Sequence, residues 1–272
     1  MTHAFRLILA ICALWGGMAC GQAVTPADLP ATAPADIVII GELHDNPLHH
    51  LTQAELVARW SPAALVFEML TPAQAAASVG RDRQDAVAMA DALAWGGTGW
   101  PDYSLYHPIF AASGAAQIYG AALDRSDVRR AMTQGAAAVF GAEAAGFGLD
   151  MPLPVAEQSA READQMAAHC DALPPEMLPG MVAAQRLRDA AFARTALEAL
   201  AETGGPVVVI TGSGHADKQR GIPAALAKAA PQASLFSIGQ TESDPGVDAP
   251  YDAWIISDPT PREDPCAAFA KP

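Results

Sequence analysis

Asp36-Ile37-Val38-Ile39-Ile40-Gly41-Glu42-Leu43-His44-Asp45-Asn46-Pro47-Leu48-His49-His50 is the stretch that decides how the chain folds. Residues 37–40 are all apolar and β-branched, with no polar alternation. Such a run suits a strand covered on both faces, as in a parallel sheet. One glutamate, one aspartate and three histidines then crowd into residues 41–50. Asp45 or Asn46 can cap a helix and Pro47 fits its first turn, which leaves His49 or His50 facing back over the strand end. Taken alone, the cluster also has a plain reading, in which these residues only cap and solvate a helix start.

Working outward, similar short runs occur at Ala64–Glu68, Gln117–Ala121, Pro206–Thr211, Ser234–Ile238 and Ala253–Ser257. Helical stretches such as Pro47–Trp60 and Ile222–Ala230 lie between several of them, giving a β-α-β rhythm with right-handed crossovers. The expected fold is therefore α/β, an open and mainly parallel sheet flanked by helices, over residues 30–258. The rhythm breaks between about 122 and 204. There Leu187, Ala190, Ala193, Leu197 and Leu200 recur at helical spacing, and a second helix is expected over Val155–His169, ended by Pro174-Pro175. A helical insertion in the sheet domain follows. Trp95–Tyr106, rich in glycine and large aromatics, reads as a long loop of the kind that often carries function. Residues 259–272 read as a tail.

Arg6 precedes an uncharged apolar run from Leu7 to Met18, about 12 residues against the ~20 that a spanning helix needs. That is the pattern of an export signal over residues 1–23. Gly21-Gln22-Ala23 offers ordinary cleavage, and Ala19-Cys20 offers a lipoprotein acceptor with an imperfect Gly17 before it. The implied place is the periplasm, or a lipid anchor on the outer membrane.

Beyond residue 23 the chain keeps 15 basic and 30 acidic residues, a net charge of −15. That balance argues against a nucleic-acid partner. It leaves room for an anionic ligand, because local cations dominate within a screening length of ~8 Å. Cys170 and Cys266 are the cysteines left in the exported part, and an oxidising compartment suggests that they pair, although two separate thiols fit the spacing as well. A bridge would close a loop of nearly 100 residues, worth ~4–5 kcal/mol in the chain-entropy model.

A second strand end, Val208-Val209-Ile210-Thr211-Gly212-Ser213-Gly214-His215, repeats the logic of the first. All strands of a parallel sheet point their C-terminal ends at one edge, where ligands bind at the switch point. Glu42, His44, Glu68 and His215 should therefore converge. Two histidines and two carboxylates are the donor types of a zinc or other divalent-metal site, and imidazole also suits iron. They suit general acid/base work equally well. For Glu68 the plain reading is an ion pair with Arg81 or Arg83.

The paired Gly-x-x-His motifs, Gly41–His44 and Gly212–His215, together with Glu68, resemble the pattern shared by ChaN-like haem-binding lipoproteins and Tiki metalloproteases. The ChaN-like branch is the closer resemblance. It extends over Asp36 to Ile256 and takes in Trp100–Pro108, Ala168-His169-Cys170, Gln185-Arg186-Leu187-Arg188-Asp189 and Gly212–Pro223. It implies an envelope protein of haem or iron acquisition, in which two copies pair and hold two haems face to face, with an outer-membrane haem receptor as a partner. It further implies a tyrosine on the iron, which would be Tyr106, with Tyr103 three residues away, and propionates held by histidine and lysine of the partner subunit. His44, His49, His169 and His215 complete the candidate haem residues. Lys218 is the one lysine near a motif, so the propionate contact would fall to an arginine or be absent. The Tiki side of the resemblance implies a rival: a metal-dependent hydrolase in which Glu42, His44 and His215 hold the ion and Glu68 activates its water.

Overall fold

The computed structural model describes residues 21–264 and 266–267. Residues 1–20 of the expected export signal, Cys20 among them, lie outside the described residues. Seven parallel strands make one open sheet: β1 (Gln22–Ala23), β2 (Ile37–Glu42), β3 (Ala64–Phe67), β4 (Gln117–Gly120), β5 (Val207–Gly212), β6 (Leu235–Thr241) and β7 (Ala253–Ile256). Their order is β1-β7-β6-β2-β5-β3-β4. The helices are α1 (Pro47–Trp60), α2 (Pro72–Ala77), α3 (Ala86–Ala92), α4 (Tyr103–Ala112), α5 (Arg125–Gln134), α6 (Ala136–Phe140), α7 (Val155–Ala168), α8 (Leu178–Thr203) and α9 (Ile222–Ala229). Among the described residues no helix is long and apolar enough to cross a membrane.

The missing alternation in the strands has a direct cause. Val38, Ile40, Leu65, Phe67, Val208 and Ile210 pack into one layer with Leu56, Val57 and Trp60 of α1 and with Ile109 and Phe110 of α4. Their neighbours Ile37, Ile39, Val66, Val207 and Val209 face the opposite layer, against Leu187, Ala190 and Ala193 of α8 and Ile222 and Leu226 of α9. Both faces are apolar because both are covered, each large side chain contributing ~1.5–3 kcal/mol on burial.

The insertion is the crossover from β4 to β5 and contains α5 to α8. Its last helix, α8, packs directly on β3, β4 and β5, and its alanines let it approach the sheet closely. The expected long loop over Trp95–Tyr106 is shorter than the sequence suggests. A 3₁₀ turn covers Trp95–Gly97, and α4 already begins at Tyr103, capped by the Asp102 carboxylate accepting from Ser104 N at 2.8 Å. Glycines on one side and Pro108 within the helix weaken the local signal. Burial of Tyr103, Tyr106, Ile109 and Phe110 on one face overrides it.

Cys170 and Cys266 are bonded, 96 residues apart, so the two-thiol alternative does not hold. The tail is fastened a second time. The Arg262 guanidinium binds the Asp45 carboxylate through two 2.8 Å bonds and also grips Glu242. Asn46 Nδ2 donates to Asp258 O and to Glu242, while its own Oδ1 accepts from Leu48 N to cap α1.

Candidate functional site

β2 and β5 are adjacent and in register, Glu42 opposite Gly212, and β3 lies on the far side of β5. Three strand ends therefore open onto one crevice of about 710 Å³. Close approach to backbone requires the glycine of the first motif, and the glycine of the second leaves room for the His44 ring. A Cβ on Gly41 would stand 2.7 Å from Ser213 Cα, and one on Gly212 would stand 3.0 Å from His44 Nε2.

Two carboxylate–histidine pairs face each other across Gly212. In the first, Glu42 is fully buried, and its Oε1 accepts from His44 Nδ1 at 2.8 Å and from the Tyr106 hydroxyl at 2.9 Å. With Nδ1 donating to the carboxylate, the neutral His44 ring leaves Nε2 unprotonated and turned toward the crevice. The His44 side chain is 33% exposed, with the Trp100 ring edge-on at 4.8 Å. Desolvation opposes protonation of His44, but the Glu42 carboxylate outweighs it and raises the imidazole pKa above its ordinary value.

In the second pair Glu68 is buried, and its Oε2 accepts from Thr211 Oγ1 at 2.7 Å and Gly212 N at 2.8 Å. Its Oε1 is 3.6 Å from His215 Nε2, and His215 Nδ1 is 2.6 Å from Asp189 Oδ1. Burial alone would push the Glu68 carboxyl up; His215, His44 and the two hydrogen bonds hold it below the usual range. Burial likewise opposes a charge on His215, yet Glu68 and Asp189 on either side raise it. Neither Arg81 nor Arg83 reaches Glu68. Arg83 donates instead to Ser113 Oγ, Gly114 O and Ala116 O.

Glu42, His44, Glu68 and His215 thus come together as expected. The other candidates do not line the crevice. Tyr106 lies fully buried beneath Glu42, and both burial and the Glu42 charge push its hydroxyl pKa far up. Tyr103 is buried as well. His49 Nδ1 accepts from Leu43 N at 2.8 Å, a bond that fixes the turn between Glu42 and His44 from behind. His50, which the sequence reading had only facing the strand end, donates from Nε2 to His44 O at 3.0 Å. His169 ends α7, its Nδ1 donating to Gln165 O at 2.7 Å beside the disulfide. Among the described residues no group of three or more His, Cys, Asp or Glu could hold a metal ion, so the divalent-metal expectation gains no support.

Sequence reasoning quoted Asp189 within a motif without giving it a role and passed over Arg262. Asp189 left a signal, a carboxylate within the apolar face formed by Leu187, Ala190 and Ala193. Arg262 left none, because its partners lie 20 and 217 residues away.

The model of a haem-binding uptake family, "Haem-binding uptake, Tiki superfamily, ChaN", matches residues 29–226. The chain belongs to that family. Among solved structures, the ChaN of Campylobacter jejuni, described with cofacial haem binding, shares the fold at a TM-score of 0.59 and 18% identity, covering 80% of this chain and 86% of that one. The type III effector HopBA1 aligns at a TM-score of 0.47 and 12% identity over 82% and 88% of the two chains. No curated protein matches.

The donor chemistry of the crevice fits the family's ligand. An imidazole oriented by a buried carboxylate, with its far nitrogen free and an indole beside it, is the set a porphyrin iron accepts. The crevice volume falls within the range of cofactor pockets.

Proposed function

We propose that the protein binds haem in this crevice as part of haem or iron acquisition in the cell envelope, with His44 as the side chain that meets the iron. The observation that carries the reading is the Glu42–His44 pair. His44 is the more exposed motif histidine, 33% against 8% for His215, its Nε2 has no hydrogen-bond partner among the described residues, and its Nδ1 is committed at 2.8 Å to a carboxylate that is itself held by Tyr106. Bound haem would supply the iron. The chain's own residues orient the ring of His44, cover it with Trp100 and keep Tyr106 away from the ligand.

Two copies pair across the crevice in this reading, as the cofacial haem of the Campylobacter jejuni protein suggests for that chain. An outer-membrane haem receptor is the partner that such a role calls for. The short edge strand β1 pairs with Ala253 and Trp254, and Gly21 lies against Tyr251 so closely that a Cβ there would meet its carbonyl oxygen at 2.2 Å. Processing before Cys20 retains these contacts and processing after Ala23 removes them, which favours the lipid-anchored exit.

The test is an absorbance titration with hemin. A saturable Soret shift is expected for the wild type and for Tyr106→Phe, with loss in His44→Ala. A wild type that gives no shift refutes haem binding, and a shift abolished by Tyr106→Phe but kept by His44→Ala moves the iron to the tyrosine.

A further inference from the structure

Two elements beside the site have no fully buried side chain, and a single covalent bond joins them. Helix α7 buries none of its 14 residues. The tail buries none from Ile256 to Asp264. Apolar burial, which anchors the rest of the fold, therefore contributes little to either. Polar contacts hold them instead. On α7, Asp164 pairs with Arg220, and Arg161 donates to Arg220 O at 3.3 Å. The root of the tail is fixed where Asn46 Nδ2 donates to Asp258 O at 3.0 Å. Beyond it, Arg262 pairs with Asp45 and Glu242, and Thr260 N donates to Glu242 Oε1 at 3.0 Å. Ion pairs this open to water stabilise an element only weakly.

The Cys170–Cys266 bond fastens the turn just after α7 to the tail just beyond Arg262, so each element holds the other in place. Both cysteines are partly exposed and within reach of a thiol in solution. Cys170 and Asp171 both stand in the left-handed region, at φ 59° and 53°. That conformation is costly for residues with a side chain and persists where other contacts enforce it. The bond to Cys266 is such a contact, and without it the turn is free to relax. Position gives the pair of elements its consequence. Arg262 is a wall of the crevice next to Asp45, the neighbour of His44. Helix α7 covers a polar cavity of about 180 Å³ that shares Gly214 with the crevice and reaches Asp189, the partner of His215.

We propose that α7 and the tail form a bracket beside the two motif histidines, closed by the disulfide and opened by exchange with a dithiol. In that exchange a thiolate of the dithiol attacks one protein sulfur, and the other leaves as a thiolate. The second thiol of the reagent then breaks the mixed disulfide. The dithiol ends as a disulfide, and its two electrons and two protons pass to Cys170 and Cys266. Closed, the bracket keeps Arg262 on the crevice wall. Open, the tail beyond Asp258 is held by exposed polar contacts alone, the wall leaves with it, and a bound ligand escapes faster. The identity of that ligand as haem rests on the reading above, whereas the opening of the bracket needs no ligand.

The experiment compares three forms of the protein: oxidised wild type, wild type reduced and then alkylated at both thiols, and Cys266→Ser. No reductant remains in any of them, so the iron of added hemin keeps one oxidation state. Without ligand, trypsin cleavage is timed after Arg262 in the tail, after Arg161 in α7 and after Arg194 in α8, the helix that packs on the sheet. In both opened forms the cuts after Arg262 and Arg161 should speed tenfold or more and be nearly complete while α8 is still intact. With hemin, the rate of haem loss to excess apomyoglobin should rise threefold or more in the same two forms. Equal cleavage after Arg262 and Arg161 in all three forms overturns the bracket, because the polar contacts then suffice to hold it. A cut after Arg194 that keeps pace with the other two also overturns it, since all three then report unfolding of the whole domain. Opening as expected with an unchanged rate of haem loss overturns its control of the ligand. An oxidised protein that binds no hemin overturns the haem reading, and the cleavage rates alone then decide the bracket.

Discussion

Acidification should destabilise the fold at the turn that carries His44, and His49 sets the size of the effect. Its ring is fully buried, and Nδ1 accepts the Leu43 N–H at 2.8 Å while Nε2 has no partner. A proton on Nδ1 would end that bond and leave an unpaired charge in the interior. Desolvation accordingly lowers the His49 pKa from 6.5 to about 4. The unfolded chain takes up this proton more readily than the folded one, so the stability concerned is present above pH 6.5 and is lost as pH falls from there toward 4. At about 1.36 kcal/mol per pH unit the loss approaches ~3 kcal/mol, a sizeable share of a domain's usual stability. His44 and His215 act in the opposite sense, because their raised values favour the folded state below pH 6.5 and that contribution fades as pH rises through them. The His49 contribution is therefore measured as a difference. Urea unfolding of wild type and His49→Gln is followed from pH 7.5 to 4; the amide oxygen of Gln can accept the Leu43 N–H without titrating. The wild type should lose ~3 kcal/mol more than the variant across that range. Parallel pH profiles would refute the reasoning.

The remaining predictions concern the crevice and the tail. Gly212→Val places side-chain carbon against His44 Nε2, a neighbour on an exposed and movable ring, so hemin affinity should fall tenfold or more while the thermal midpoint changes little. Gly41→Ala meets Ser213 Cα, which is backbone, and should cost ~1–3 kcal/mol in denaturant unfolding before any ligand is added. Cys266→Ser should lower stability by up to ~4–5 kcal/mol, the loop entropy of a 96-residue separation. Reductant should bring the wild type to the same denaturation midpoint and leave the variant unmoved.

What was legible in the sequence follows from how local each signal is. Strands β2, β3 and β5 stood out because their residues are buried on both faces, which removes alternation and leaves plain apolar runs such as Ile37–Ile40, whereas β4, β6 and β7 are covered less completely. Strand β1 did not: two residues carry no pattern, and they lie where an export signal was expected. Helix α1 was bounded to the residue, since Asn46 and Pro47 mark its start by their own chemistry. Helix α4 was hidden for the opposite reason, since its Asp102 cap is a weak local signal beside Pro108 and the flanking glycines, and tertiary burial of its aromatic face decides it. In the site, Glu42, His44, Glu68 and His215 could be placed together from topology alone, because a parallel sheet fixes where strand ends point. Direction was not legible. Nothing in the spacing of Tyr106 says that its hydroxyl turns inward to Glu42, and nothing in His49 says that it backs the turn instead of lining the crevice.

The arrangement also indicates which parts of the cluster belong to the scaffold and which to a ligand. A buried carboxylate is costly unless it is paired, and Glu42, Glu68 and Asp189 are each held by hydrogen-bond donors. Their pairing accounts for Tyr106, Thr211, the Gly212 amide and the Nδ1 atoms of both motif histidines. It does not account for His44 Nε2 or for the Arg188 guanidinium, which line the crevice and have no hydrogen-bond partner among the described residues. If the cluster served only to stabilise the strand ends, apolar residues of similar volume would do so with less desolvation, and neither group would need to face open space. Both groups are compatible with the ligand proposed above, and the choice of haem among ligands of that kind rests on the family match.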